Sequence, residues 1–344
     1  MTAPRLLAKI CQYYYRDELT MGEIAQRLHM SRHRVGRLLR EAQERNIVRI
    51  DILTPYTQET ELERRLEAAL GLKSCVAVSA EPDDDVAEIK RRTCVAAAEF
   101  LGQIVSESAV IGIGWGSTTL EFTKQLPPTP VPKARVVQIT GGNKRLAADF
   151  DCQGVTRRLA EKLGAEPVYL HAPCVVDTRE TRDLLLADSA IRDTVALFGK
   201  IEIAIVGVGS LLPARSSTLI ASGYVSPREL DELERQGAVG DVFSYFIDAR
   251  GNSVRTELYD RLITIGIPDI RRVPISIAIA VGAVKTRAIA AAVRGGFVNT
   301  LIVDSELAQA LLALPAEATV GDRPRATPGR DLQGEDARTP VSGA

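Results

Sequence analysis

Two sets of residues in this 344-residue sequence have the types and spacing to do chemistry. The first lies in "SRHRVGRLLREAQER" (31–45), where Val35, Leu38, Leu39 and Ala42 share one helical face and Arg32, His33, Gly36, Arg37 and Arg40 share the other. A guanidinium fork pairs bidentately with guanine O6 and N7 or with a phosphate, so this face suits the DNA major groove. We assign Arg32, His33 and Arg37 to base edges, and Arg34, Arg40 and Arg45 to phosphates. A solvated surface helix would carry the same residues, so the pattern needs its context. Glycine inside an exposed helix costs roughly 0.5–1 kcal/mol against alanine. Gly36 therefore either admits close backbone approach to a duplex or is drift.

The second set stands at strand ends. In "GIGWGSTTLEF" (112–122) a buried strand runs through a glycine loop into a helix that opens with hydroxyl residues. Free amides and the positive dipole end of such a helix bind anions, which makes Gly114, Gly116, Ser117 and Thr118 candidates for holding a phosphate. The spacing G-x-G-x-G departs from the dinucleotide pattern and no Walker lysine follows, so neither NAD nor ATP is expected, and no other cofactor. In "IAVGAVKTRAI" (279–289) Gly282 ends a strand and Lys285 opens a helix, adding an ammonium. "TGGN" (140–143) and "VGDVF" (239–243) fall at further strand edges. There Gly141 and Gly142 would allow close ligand approach, and Asp241 would accept hydrogen bonds from sugar hydroxyls. Lys144, Arg145 and Arg261 are further phosphate candidates. Glycines at strand ends also serve as plain turn residues, and an aspartate as a turn cap.

The elements that must position these groups follow from periodicity. Leu6, Leu7, Ile10 and Tyr14, then Ile24, Ala25 and Leu28, then the face from Val35 to Ala42, give three short helices. Thr20 with Glu23 forms a capping box, and Ser31 caps the third helix after the break His29-Met30-Ser31. "NIVRIDIL" (46–53) alternates as a strand, and "ETELERRLEAALGL" (59–72) is a charged connecting helix. Strands are expected at 75–79, 109–114, 135–140, 167–170, 203–209, 242–247, 262–267, 275–282 and 299–304, with helices at 86–105, 154–164, 183–198 and 285–294 between them. Near-continuous apolarity in several strands predicts a parallel sheet covered on both faces, a doubly wound α/β fold.

The boundaries expected are 1–54 for a helix-turn-helix domain, 55–72 for the linker helix, 73–314 for an α/β effector-binding domain and 315–344 for a disordered tail poor in apolar residues. Residues 1–50 carry ten Lys/Arg against five Asp/Glu, leaving 33 against 39 in the remainder, so a polyanion belongs at the N-terminal end. A hydrophobic content of 45% excludes a wholly disordered chain. The five cysteines are scattered without zinc spacing, so no metal is expected. No signal-peptide pattern and no apolar run of about 18 residues stands out, which points to the cytoplasm.

A helix, a tight turn and a serine-capped basic helix make a helix-turn-helix, in which Thr20, Ser31, Arg32, His33, Arg34, Arg37 and Arg40 would meet DNA. The stretch "YYYRDELTMGEIAQRLHMSRHRVGRLLREAQERNIVRIDI" resembles the N-terminal domain of SorC/DeoR-type bacterial transcriptional regulators. The resemblance continues through "IGIGWGSTTLEF", "VVQITGGN", "HAPCVV", "AIVGVGS", "GAVGDVFSYFIDARG", "IAVGAVKTRAIAAAVRGG" and "NTLIVDSELAQALL", over about residues 5–314. It implies an effector domain similar to sugar-phosphate isomerases, Lys285 in the effector site, and an oligomer, dimer or tetramer. The implied partners are double-stranded operator DNA, in the control region of a carbohydrate-catabolic operon, and a sugar or sugar-phosphate effector. Ala283 stands where most members carry a second glycine, so the loop shape there departs from the family's.

The competing function is an isomerase or deaminase with an attached DNA-binding domain. Such chemistry needs a positioned base. Outside the N-terminal unit His171 is the one histidine, in a loop or core context, and Asp241 with Lys285 lacks a second carboxylate. Schiff-base chemistry before Gly141 is unsupported because that residue is Thr140. A non-enzymatic regulator is the reading adopted. An architectural DNA binder would not need the pocketed domain.

Overall fold

The computed structural model describes residues 4–45, 47–48, 60–81, 84–143, 152–211 and 216–315. The chain divides into two units, Met1–Tyr56 and Thr57–Ala344.

In the first unit α1 (Pro4–Cys11) winds into a π turn over Gln12–Arg16, followed by α2 (Met21–Arg27) and α3 (Arg32–Glu44). Leu7, Ile10, Ile24, Val35 and Ala42 are fully buried and form its core. The capping box is present: the Glu23 amide donates to Thr20 Oγ1 at 3.3 Å, and the Thr20 amide donates to Glu23 Oε2 at 2.8 Å. Ser31 Oγ accepts from the Arg34 amide at 3.3 Å and starts α3. Three of the orphan amides at the two helix starts thus find side chains. His29, at φ 50°, makes the turn between α2 and α3 without a glycine. Ile47 and Val48 pack against this core in a bend. The rest of the strand expected at 46–53 lies outside the described residues.

The second unit opens with α4 (Thr60–Leu70) and is built on seven parallel strands: β1 (Ser74–Val78), β2 (Val110–Ile113), β3 (Arg135–Gln138), β4 (Glu166–Val168), β5 (Ile203–Val206), β9 (Ile275–Ala280) and β10 (Thr300–Asp304). Their order is β1-β10-β9-β5-β2-β3-β4. A smaller antiparallel sheet joins β6 (Val208–Ser210), β7 (Ala238–Val242) and β8 (Tyr245–Asp248). The helices between are α5 (Val86–Ile104), α6 (Ser117–Gln125), α7 (Cys152–Leu163), α8 (Arg179–Ala187), α9 (Ser189–Val195), α10 (Thr218–Ala221), α11 (Pro227–Arg235), α12 (Ile267–Ile270), α13 (Thr286–Arg294) and α14 (Ser305–Leu312).

Alternate strand residues feed two cores. Ile203, Ile205, Ile277, Ile279 and Ile302 face α5, α6 and α7, whereas Ala204, Val206, Ala278, Ala280, Leu301 and Val303 face α4, α13 and α14. Both sheet faces are covered, which is why the strands read as unbroken apolar runs.

The connecting helix is more than a spacer. Leu62, Leu66 and Leu70 of α4 enter the core. Glu67 Oε1 accepts from the Cys75 amide at 2.8 Å and Glu63 Oε1 from the Ala77 amide at 2.9 Å. These two carboxylates occupy the outward amides of edge strand β1, which would otherwise be open to pairing with another chain. Residues 55–59 of the expected linker helix lie outside the described residues, as do Lys144, Arg145 and the tail from 316 onward.

Four expected elements differ. The run 242–247 is interrupted by a hairpin turn, because Phe243 and Ser244 adopt φ 53° and 69° and reverse the chain, leaving Val242 at the end of β7 and Tyr245–Ile247 in β8. The run 262–267 pairs only through isolated bridges, Val175 with Leu262 and Thr140 with Thr264. The expected strand 203–209 splits at Gly207 between the two sheets, and the helix 183–198 breaks at Asp188, whose carboxylate caps α9. Continuous apolarity or helical periodicity concealed these breaks, which one or two residues make at 243–244, 207 and 188.

Candidate effector cleft and recognition helix

In the chain order β2 is followed outward by β3 and β4, while β5 returns to the other side of β2. The reversal leaves a crevice beyond the carboxyl ends of β2 and β5, where open α/β sheets bind ligands. A cleft of about 580 Å³ opens there, and Gly114, Gly116, Ser117, Thr118, Asp241 and Lys285 all line it. The Gly114 amide donates to Ile205 O at 3.0 Å and fixes the loop to β5. Gly116, at φ 149°, is the N-cap of α6 and supplies no side-chain bond to the first-turn amides. Those amides are the donors an anion would use.

Across the cleft β6 and β7 pair antiparallel with Gly209 opposite Asp241. Asp241 is 8% exposed, and its Oδ1 has no hydrogen-bond partner within the protein. Burial pushes its carboxyl up to about 6, against the opposing effects of the Ser217 hydroxyl bonded to it and the Lys285 charge. The Lys285 ammonium donates to Val208 O at 2.9 Å, and burial foremost, then the Lys90 charge, lowers its pKa. The cleft therefore offers a cation, the amides of a helix start and a carboxylate with one unpartnered oxygen. Such a set fits a ligand with an anionic group and hydroxyl donors.

The second helix start differs from its sequence reading. After β9 the chain makes a 3₁₀ turn at Ala283–Lys285, in which the Lys285 amide bonds to Gly282 O at 3.1 Å and the Thr286 amide to Ala283 O. The Gly282 amide goes to Asp304 Oδ2 at 2.6 Å. This loop thus contributes its lysine rather than a row of free amides.

Residues 54–313 match the family described as "Putative sugar-binding domain". The chain is 30% identical to the deoxyribonucleoside regulator of Bacillus subtilis (strain 168) over 308 residues, 90% of this chain and 97% of that protein. It is 28% identical to the sorbitol operon regulator of Klebsiella pneumoniae, over 90% of this chain and 98% of the relative. The crystal structure of the full-length sorbitol operon regulator SorC from Klebsiella pneumoniae superposes with a TM-score of 0.70 at 27% identity, covering 91% of this chain and 99% of that one.

The chain belongs to the SorC/DeoR-type family of bacterial transcriptional regulators.

In this SorC/DeoR-type regulator some sequence-assigned residues stand elsewhere. Gly141 and Gly142 do not line the cleft. A Cβ on Gly141 would lie 2.5 Å from the Pro173 carbonyl, and the Gly142 amide donates to Ala172 O at 2.8 Å. Gly141 lets the chain pass against residues 173–174, a packing role, whereas a Cβ on Gly142 would meet only Ala172 O at 3.9 Å, an ordinary contact. Arg261 is paired with Glu229 at 3.2 Å in a separate cleft, and His171 is exposed beside the Tyr169 ring. Trp115, Thr140, Phe243 and Ser244 line the effector cleft without having been singled out. Nothing in their types marked them; the sheet topology brings them there.

On the regulator's helix α3, Arg32, His33, Arg34, Arg37 and Arg40 are all exposed. Arg45 is half-buried and bonded to Glu41 at 3.0 Å, which takes it out of the row of outward arginines. The Thr20 and Ser31 side chains are engaged in their caps. A Cβ on Gly36 would meet Met21 Sδ at 3.5 Å, an ordinary contact, so packing does not require glycine there.

No helix among the described residues is long and apolar enough to cross a membrane.

Proposed function

We propose that this regulator binds operator DNA through α3 and that a phosphorylated sugar in the cleft controls that binding. Residues 1–54 serve as the DNA-binding domain, 73–314 as the effector domain, and α4 joins them. The observation that carries the reading is that Asp241, with one buried oxygen unpartnered, lines the same cleft as the uncapped α6 start and Lys285. A buried acceptor left unpaired costs about 1–3 kcal/mol, which a sugar hydroxyl would recover. The printed names of the relatives, a deoxyribonucleoside regulator and a sorbitol operon regulator, support an effector of this class.

Arg32, His33 and Arg37 read bases in this proposal, and Arg34 and Arg40 hold phosphates. One short helix buries too little surface for genomic specificity, so the working form is a cytoplasmic homo-oligomer with two-fold symmetry on an inverted repeat. Effector and operator influence each other reciprocally: a tenfold loss of DNA affinity on effector binding implies a tenfold loss of effector affinity on DNA.

The test is a thermal-shift screen of phosphorylated and unphosphorylated sugars, followed by operator titrations with each hit. A ligand at a hundred times its dissociation constant stabilises the native state by about 2.7 kcal/mol. Lys285→Ala should remove the shift, and equal affinities in calorimetry would sink the site. A second reading, an isomerase-like enzyme, draws on the Asp241 carboxyl near pH 6, a range suited to a general base. Formation of a product in the calorimeter cell would favour it.

A further inference from the structure

Lys90 brings to the start of α6 a charge that no motif pointed to. It stands on α5, and its ammonium donates to Ser117 Oγ at 3.0 Å. Ser117 is the first residue of α6 and lines the cleft. Lys90 is half-buried and close enough to Lys285 that its charge opposes protonation there. The Lys90 ammonium thus stands at the positive end of a helix whose first turn has no side-chain cap, and Lys285 lines the same cleft as that helix start. Glu121 also acts on Lys90, yet its carboxylate is bonded to Lys124 at 3.3 Å and Gln125 at 2.7 Å. Asp241, the acid that acts on Lys285, also lines the cleft and keeps one buried oxygen unpartnered. Like charges held together in this way favour a doubly charged anion between them.

We propose that Lys90 is the second cation of the phosphate subsite. It exchanges its bond to Ser117 for a phosphoryl oxygen, so that a phosphomonoester dianion sits on the first turn of α6 between Lys90 and Lys285. This rests on the effector reading above and adds to it a second cation that holds the phosphate as a dianion.

The experiment is calorimetric titration of the full-length wild type, Lys90→Met, Lys90→Arg and Lys285→Met with inorganic phosphate, ribose 5-phosphate and glucose 6-phosphate at pH 8. Melting curves check that each variant is folded, and Lys90→Met keeps the alkyl stem so that packing on α5 is conserved. The expected result is at least a tenfold weaker affinity in Lys90→Met for every phosphate that binds the wild type, with Lys90→Arg within a few-fold of wild type. Wild-type affinity in Lys90→Met alongside a loss in Lys285→Met overturns the role of Lys90 and leaves the effector reading standing. Equal losses in Lys90→Met and Lys90→Arg, with lowered melting temperatures in both, overturn it in favour of a structural role. Failure of the wild type to bind any of the three probes removes the phosphate subsite itself.

Discussion

Gly209 and Asp241 face each other across the β6–β7 pair so closely that a Cβ on Gly209 would lie 2.1 Å from Asp241 Oδ1 and 2.9 Å from Ser217 Cα. The glycine exists to make room for the carboxylate. Gly209→Ala should displace Asp241, lowering stability by about 1–3 kcal/mol and weakening effector binding. Pairing it with Asp241→Ala should remove the Oδ1 collision, so a double-mutant cycle in thermal denaturation should show positive coupling. Strict additivity would count against the contact.

The burial of Asp241 has a pH signature. Its folded-state carboxyl, at about 6, lies above the ordinary 3.8, so the folded protein holds the proton more tightly than the unfolded chain. Stability is then greatest below the unfolded value and declines as pH rises from about 4 to about 6, with a change of at most about 3 kcal/mol. In Asp241→Asn this decline should vanish. Melting temperatures of the ligand-free proteins between pH 4 and 8 measure it, and parallel profiles would refute it.

Asp304 ties the Lys285 loop to the neighbouring helix. Fully buried, it accepts from the Gly282 amide at 2.6 Å through Oδ2 and from the Leu307 amide at 3.0 Å through Oδ1. Asp304→Ala should cost about 2–4 kcal/mol, one unsatisfied buried amide plus one lost N-cap. Denaturant unfolding checks the cost, and a weaker effector affinity in the folded fraction checks the link to Lys285.

Because Arg37 is exposed, Arg37→Ala should leave stability unchanged while weakening operator binding by about 1–3 kcal/mol. Gel-shift titration at matched salt measures this. Gly36→Ala provides the complement: α3 should gain roughly 0.5–1 kcal/mol, since the added methyl meets only Met21 Sδ at 3.5 Å. A simultaneous loss of DNA affinity would show that the glycine serves close approach to the duplex.

The local chemistry of this chain was written in its sequence. Thr20 with Glu23, and Ser31 before an apolar stripe, fix two helix starts through bonds spanning three residues, and such bonds need no tertiary partner. The same holds for the strand, loop and helix around Gly114–Thr118, and the alternation of two apolar faces dictated a sheet covered on both sides. The third dimension decided what depends on distant neighbours. "TGGN" and "GIGWG" look alike as glycine loops, yet the glycines of the former lie beside residues 172–174 and Gly114 and Gly116 of the latter open on the cleft. Phe243 and Ser244 turn the chain at positive φ with no glycine, asparagine or aspartate at either position to announce it. Lys90 meets Ser117 across 27 residues, and Asp241 loses its solvent when β6 and β7 close over it. Periodicity and capping act within a helical turn, whereas burial and charge proximity are set by which strands lie side by side, and that order is a property of the whole sheet.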